Sequence, residues 1–258
     1  MKNLSTYKVF ENEMEPIRKA FNRDQLSWLD KCTTGSWRYN PATGKVDVKG
    51  DFNCSNQRLT DFKGVEFGEI SGEFRCTGNN LKSLEGSPVK VNGTMSVRDN
   101  VIESLVGSPE YVGGDFNCSD NKLETMDGAP RKVGKDFNCS DNYLKDLTGI
   151  PNAIGGRISI YGNEISSLRG IDDLESVEWK WLHPTWISEN RLSGPTSVRI
   201  IREMTGNGLR YGDALRSIWD EIPDEDKVML YKDLPGLTDQ EAKAYSALGG
   251  FLGMRNFL

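Results

Sequence analysis

The sequence predicts a β-rich solenoid with short parallel strands on a concave face, capped by helices at its start and followed by a small all-α domain. Three observations carry that prediction: a 21-residue repeat through roughly the middle half of the chain, apolar residues in fixed alternating columns within each repeat, and flanks with helix signals and no repeat.

The repeat is plainest where GDFNCSDNKLETMDGAPRKVG, beginning at Gly114, aligns without a gap on KDFNCSDNYLKDLTGIPNAIG, beginning at Lys135. Extending the register outward gives units from Gly72, Gly93 and Gly156, and a first unit from Gly50 that is one residue longer. An incomplete seventh unit, VEWKW, is read from Val177.

Within each unit the first apolar column is Phe52, Phe74, Met95, Phe116, Phe137, Ile158 and Trp179. Two residues on comes Cys54, Cys76, Val97, Cys118, Cys139, Ile160 and Trp181. A spacing of two is a short strand with one buried face. A third column (Leu59, Leu81, Ile102, Leu123, Leu144, Ile165) and a fourth (Phe62, Leu84, Leu105, Met126, Leu147, Leu168) follow. One coil alone cannot bury them, but coils stacked ~4.8 Å apart in a parallel sheet share a continuous core.

Between the second and third columns stand Asn79, Asn100, Asn121, Asn142 and Asn163, with Gln57 in the first coil. A carboxamide has two donors and an acceptor, enough to satisfy backbone groups at the turn out of the strand. Gly64, Gly86, Gly107, Gly128, Gly149 and Gly170, followed in four coils by Pro88, Pro109, Pro130 and Pro151, mark a turn on the outer side.

The ends supply caps. Residues 1–49 contain two helix-like stretches, YKVFENEMEPIRKAFN and DQLSWLDKC, and a hairpin, SWRYNPATGKVDV, whose Val46 and Val48 continue the strand column. The solenoid is placed at 50–184 and the helical domain at 185–258, with Trp179, Trp181 and Trp186 crowding the boundary. Pro195 suits a helix's first position, and Thr238 with Glu241 forms a capping box. The apolar end, Phe251, Leu252, Phe257 and Leu258, is read as packed core.

The coils resemble the short bacterial type of leucine-rich repeat, whose strand-x-x-Asn-x-Leu-x-x-Leu pattern is shared by Phe116, Cys118, Asn121, Leu123 and Met126. They depart from it in using Phe and Cys where Leu and Val are usual, and in a Gly-containing coil. That likeness covers about half of the chain, which is also similar to repeat-bearing proteins of tailed bacteriophages and other large DNA viruses, from WLDKCTTGSWRYNPATGKVDVKGDFNCSNQRLTDFKGV through the coils that follow. The resemblance implies the fold and a viral source. It carries no defined activity.

Composition narrows the function classes. No stretch approaches the ~18 apolar residues of a membrane span, and the N-terminal MKNLSTYKVFENEMEP lacks the apolar region of a signal peptide, so a cytoplasmic location is expected. A net charge of −6 speaks against nucleic acid, whose binders need a basic face.

The residues that could do chemistry are few. The ladder cysteines read as small, buried, reduced apolar residues, in preference to disulfides or a metal site. His183 is the sole histidine, and the ~30 Å of stacked coils between it and Cys32 excludes a dyad. Bacterial repeat effectors that act as ubiquitin ligases use a cysteine in a helical C-terminal domain, and this chain has none after Cys139. TGNGLRYGD follows no strand and reads as an inter-helix turn rather than a phosphate loop. No enzyme, cofactor or metal is expected.

What remains is the solvent face of the strands. Its outward columns run Asp51, Glu73, Thr94, Asp115, Asp136, Arg157, Glu178 and Asn53, Arg75, Ser96, Asn117, Asn138, Ser159, Lys180, with Arg98, Asp99, Asp120, Asp141 and Tyr161 just beyond. Acids recurring at the same outward position line one groove, the surface with which solenoids commonly bind. Calcium is set aside because its Gly-x-Asp nonapeptide pattern is missing. The expectation is a non-enzymatic, phage-encoded protein whose acidic face binds a basic patch on a host bacterial protein and inhibits a host or defence process. The alternative is a structural or assembly component of a virus particle.

Overall fold

The computed structural model describes residues 15–174, 176–177, 187 and 189–255, with the backbone alone for 176–177 and 249–255. Glu178, Trp179, Lys180, Trp181, His183 and Trp186, and the side chains of the apolar C-terminal end, lie outside the described residues.

The chain enters through a helical segment at 15–20 and helix α1 (Arg23–Cys32). Asn22 caps α1: its side chain accepts from the Gln25 amide, and the Gln25 side chain accepts from the Asn22 amide. Trp28, Leu29 and Cys32 form its buried face, and the Trp28 ring meets Phe52 edge-on at 5.2 Å. The first coil is covered in this way. Strands β1 (Thr33–Asn40) and β2 (Lys45–Asn53) then form the expected antiparallel hairpin.

Two rows of parallel strands grow from β2. Its C-terminal half pairs with β4 (Phe74–Arg75), after which β6 (Met95–Ser96), β8 (Phe116–Asn117), β10 (Phe137–Asn138) and β12 (Ile158–Ser159) stack with the first apolar column in register. Its N-terminal half pairs with β3 (Phe67–Ile70), followed by β5 (Lys90–Val91), β7 (Tyr111–Val112), β9 (Lys132–Val133), β11 (Ala153–Ile154) and β13 (Ser176–Val177). The molecule is thus a parallel β-solenoid with two short strands per coil. The second row corrects the sequence reading, which saw only a turn there. Ile70, Val91, Val112, Val133 and Ile154 form a fifth inward column, and all five are buried.

The rows meet at a bend. The ladder runs through it, with the Gly114 amide donating to the Gly93 carbonyl at 2.9 Å and the Gly134 amide to the Val112 carbonyl at 2.8 Å. Successive backbones are so close that a Cβ on Gly134 would lie 2.2 Å from the Gly113 carbonyl oxygen. Only glycine fits there.

The asparagines form the expected ladder. Each amide nitrogen from Asn79 to Asn163 donates to main-chain carbonyls of its own and the preceding coil, and each Oδ1 accepts a backbone N–H of the preceding coil. Asn190 adds another rung, donating to the Ile160 carbonyl at 2.9 Å and accepting from the Ile165 amide at 2.8 Å. The seventh coil therefore closes at Ile187–Leu192. Val177 pairs with Ile154 in the second row, so it does not open a seventh unit as the sequence reading has it, and the Trp179 and Trp181 of that reading lie outside the described residues. Asn163 follows Ile154 by nine residues whereas Asn190 follows Val177 by thirteen, and that insertion displaces the register.

The cysteine column is buried as predicted, but it is not all reduced. Cys54 and Cys76 form a disulfide with Cα atoms 5.0 Å apart, while Cys118, Cys139 and Cys32 are free and buried. In-register parallel strands set successive Cα atoms ~4.8 Å apart, inside the range a disulfide spans.

Helices α2 (Gly194–Asn207), α3 (Tyr211–Ser217), α4 (Asp224–Leu230) and α5 (Asp239–Arg255) follow. Ser193 caps α2, with Pro195 in its first turn one residue past the first position that the sequence suggests, and Thr238 with Glu241 caps α5 as expected. Asp233, its carboxylate almost buried, ties this domain to the sixth coil by accepting from Ser167 Oγ and from Arg169 at 2.5 Å, and it also accepts from the Tyr211 hydroxyl of α3 at 3.0 Å. Among the described residues no helix is long and apolar enough to cross a membrane.

Candidate protein-binding face

The outward positions of the first strand row lie in the lines the sequence predicts, but most of their side chains also serve the backbone. The Asp51 carboxylate accepts from the Glu73 amide of the next coil at 2.8 Å, Asp115 from the Asp136 amide at 3.1 Å, and Asp136 from the Arg157 amide at 2.8 Å. The Thr94 hydroxyl does the same for the Asp115 amide at 3.3 Å. These N–H groups stand at the bend between rows and need an acceptor from the neighbouring coil. One oxygen of each carboxylate, Oδ1, is engaged in this way.

The second column closes tight turns. Asn117 and Asn138 each accept from the backbone amide two residues on, at 3.0 Å, the Asx-turn geometry that short carboxamides favour. Arg75 is held by Glu73, and Tyr161 projects from the sixth coil, 39% exposed.

Beyond the strands, Asp99, Asp120 and Asp141 have φ of 56°, 56° and 55°, the left-handed region that Asp and Asn tolerate better than most residues. Asn56, Gly78, Gly162 and Glu189 hold the same conformation in other coils. Arg98 pairs with Asp120 at 3.0 Å. The Asp141 carboxyl is pushed up from its ordinary range, first by partial burial and then by the charges of Asp120 and Glu189, with Arg98 acting the other way. Glu189 is a member of the row that sequence reasoning missed, because the insertion before Ile187 hides its register.

The second row presents a different surface. A shallow groove of ≈ 420 Å³ runs along it, lined by Val89, Lys90, Glu110, Tyr111, Arg131, Lys132, Asn152 and Ala153. Another, of ≈ 440 Å³, lies between the last coils and the helices, beside Lys145, Arg169, Arg191, Tyr231 and Lys232. Neither was legible in the sequence, since both depend on where the second row and the helices pack. Among the described residues no group of three or more His, Cys, Asp or Glu side chains is placed to hold a metal ion. No family model matches the chain, and neither a curated protein nor a solved structure matches it.

Proposed function

We propose that the chain is a binding protein that presents the acidic first-row face to a basic patch on a protein partner. The observation that carries this reading is that the face holds more negative charge than its fold requires. The bend needs an acceptor, and Thr94 supplies one without charge; the left-handed position needs Asn or Gly, and Asn56, Gly78 and Gly162 serve there without charge. Asp51, Asp115 and Asp136 in one column, and Asp99, Asp120, Asp141 and Glu189 in the other, do the same work while adding a carboxylate at each of these positions. The repulsion felt by Asp141 is what a cationic partner would relieve. Following the viral resemblance, the partner in this proposal is a host bacterial protein whose activity the binding inhibits.

The test separates charge from fold. Asp115→Asn with Asp136→Asn retains the Oδ1 acceptor for the bend and removes only charge, whereas Asp115→Lys with Asp136→Lys removes both. Capture of a partner from bacterial lysate should fall in the Asn variant, fall further in the Lys variant, and weaken for the wild type as salt rises. Reversal of Asp224 and Glu225 on the helical domain should leave capture intact. Loss on that control with normal capture by the Asn variant would move recognition to the helices.

A further inference from the structure

Cys118 and Cys139 stand in the same inward column as the Cys54–Cys76 bridge. Strands β8 and β10 pair Phe116 with Phe137 and Asn117 with Asn138, so the next residues, Cys118 and Cys139, face each other across adjacent coils. Cys54 and Cys76 do so beyond the Phe52–Phe74 and Asn53–Arg75 pairs. Neighbouring strands lie ~4.8 Å apart, close to the 5.0 Å between the Cα atoms of the bonded pair. Both free thiols are fully buried, and the Cys118 thiol donates to the Asn138 carbonyl at 3.4 Å, on the strand that carries Cys139. Val97 precedes the pair and Ile160 follows it in the column, so each thiol has only the other as a cysteine neighbour there.

We propose that Cys118 and Cys139 are a site of oxidative modification, closing a second inter-coil disulfide by exchange with a low-molecular-weight disulfide. One protein thiolate attacks the small disulfide, forming a mixed disulfide and expelling one small thiolate. The second protein thiolate then attacks the protein sulfur of that mixed bond and expels the other. Two protein thiols are oxidised, one small disulfide is reduced to two thiols, and the two protons pass to them. Burial and the adjoining Cys139 thiol hold the Cys118 thiol well above its ordinary range. Attack is therefore slow in the closed coil and proceeds from one that has opened locally. The bond would fasten the two coils that carry Asp115, Asp120, Asp136 and Asp141, and it stands independently of any binding by that face.

The test incubates the whole protein with glutathione disulfide, in buffer and in urea below the unfolding transition. It is then alkylated in denaturant without reductant and mapped by mass spectrometry. The expected result is a fall in alkylated cysteines from three to one, Cys32, with a cross-linked peptide joining Cys118 to Cys139. The thermal midpoint should rise with it. Cys118→Val places the residue that Val97 already provides in this column, so it should fold and show neither the cross-link nor the rise. Three alkylated cysteines under both conditions, stable glutathione adducts on Cys118 or Cys139, or a cross-link through Cys32 would overturn the proposal.

Discussion

The carboxamide of Asn121 closes the coil before its own. Its nitrogen donates to the Val97 carbonyl at 3.1 Å and its oxygen accepts from the Ile102 amide at 3.0 Å, and both partners belong to the preceding coil. Asn121→Leu would strand the buried Ile102 amide and leave the Val97 carbonyl with the Asn100 side chain alone. A destabilisation of about 1–3 kcal/mol is expected, read as a lower urea midpoint. An unchanged midpoint would mean that the turn closes without this amide.

The Phe116 ring is fully buried and stacks on Phe137 with centroids 6.0 Å apart. Phe116→Ala removes that contact and leaves a cavity between coils that cannot collapse without breaking register. The expected cost is ~3–5 kcal/mol. Because stability in a stacked array comes from neighbour interfaces, adding Phe137→Ala should cost less than a second full increment. Additive losses in a double-mutant cycle would show that the two rings do not share an interface.

Why these columns are legible and others are not follows from their lengths and neighbours. Phe116 and Cys118 alternate about one outward residue, and Leu123 and Met126 recur at fixed distance, so the inward face shows in a single sequence. Val112 and Val133 sit in strands of two residues between a proline and a glycine, with no alternation to reveal them. The outward acids are legible as positions. Their bonds to the backbone are not, because the Asp136 amide reaches Asp115 only once the coils are stacked. Reversal of Asp115 or Asp136 to Lys therefore carries a folding cost that their outward position in the sequence pattern does not reveal. Cys54 and Cys118 have the same local sequence, Asp-Phe-Asn-Cys-Ser, and one is bonded while the other is free.

That difference gives a direct count. Denatured without reductant, the protein should label at three cysteines, Cys32, Cys118 and Cys139, and at five after reduction. In the native state the three should label slowly because all are buried. Five labelled thiols in the unreduced denatured chain would show that Cys54 and Cys76 are not joined.

Tyr211 links alkaline pH to the seating of the helical domain. Its phenol is held above the ordinary range, chiefly by burial and then by the Asp233 charge. The unfolded chain releases this proton near pH ~10, while the folded protein still holds it. Above that pH the native state binds more protons than the unfolded state, so stability falls as pH rises, by at most ~1.4 kcal/mol per pH unit from this group. Tyr211→Phe removes the ionisable group. Between about pH 10 and 12 its stability should decline less steeply than that of the wild type; parallel curves would exclude Tyr211 as the source.

Asp141 offers the sharpest separation of folding from binding. Its folded carboxyl is raised by partial burial and by Asp120 and Glu189, so between the ordinary carboxylate range and that raised value the native state binds more protons. Stability from this group is then present at acid pH and lost as pH rises through the window, and at neutral pH its ionised form works against the fold. Asp141→Asn removes the charge and keeps a residue that accepts the left-handed φ of 55°, as Asn56 does at 58°. Its thermal midpoint at pH 7 should exceed that of the wild type, and the gain should shrink as the pH is lowered to 4. If the row is only solvated surface, nothing else changes. If the row binds a basic partner, the same substitution that steadies the fold should weaken capture and flatten its salt dependence. A variant both more stable and fully competent to bind would show that the charge at Asp141 serves neither role.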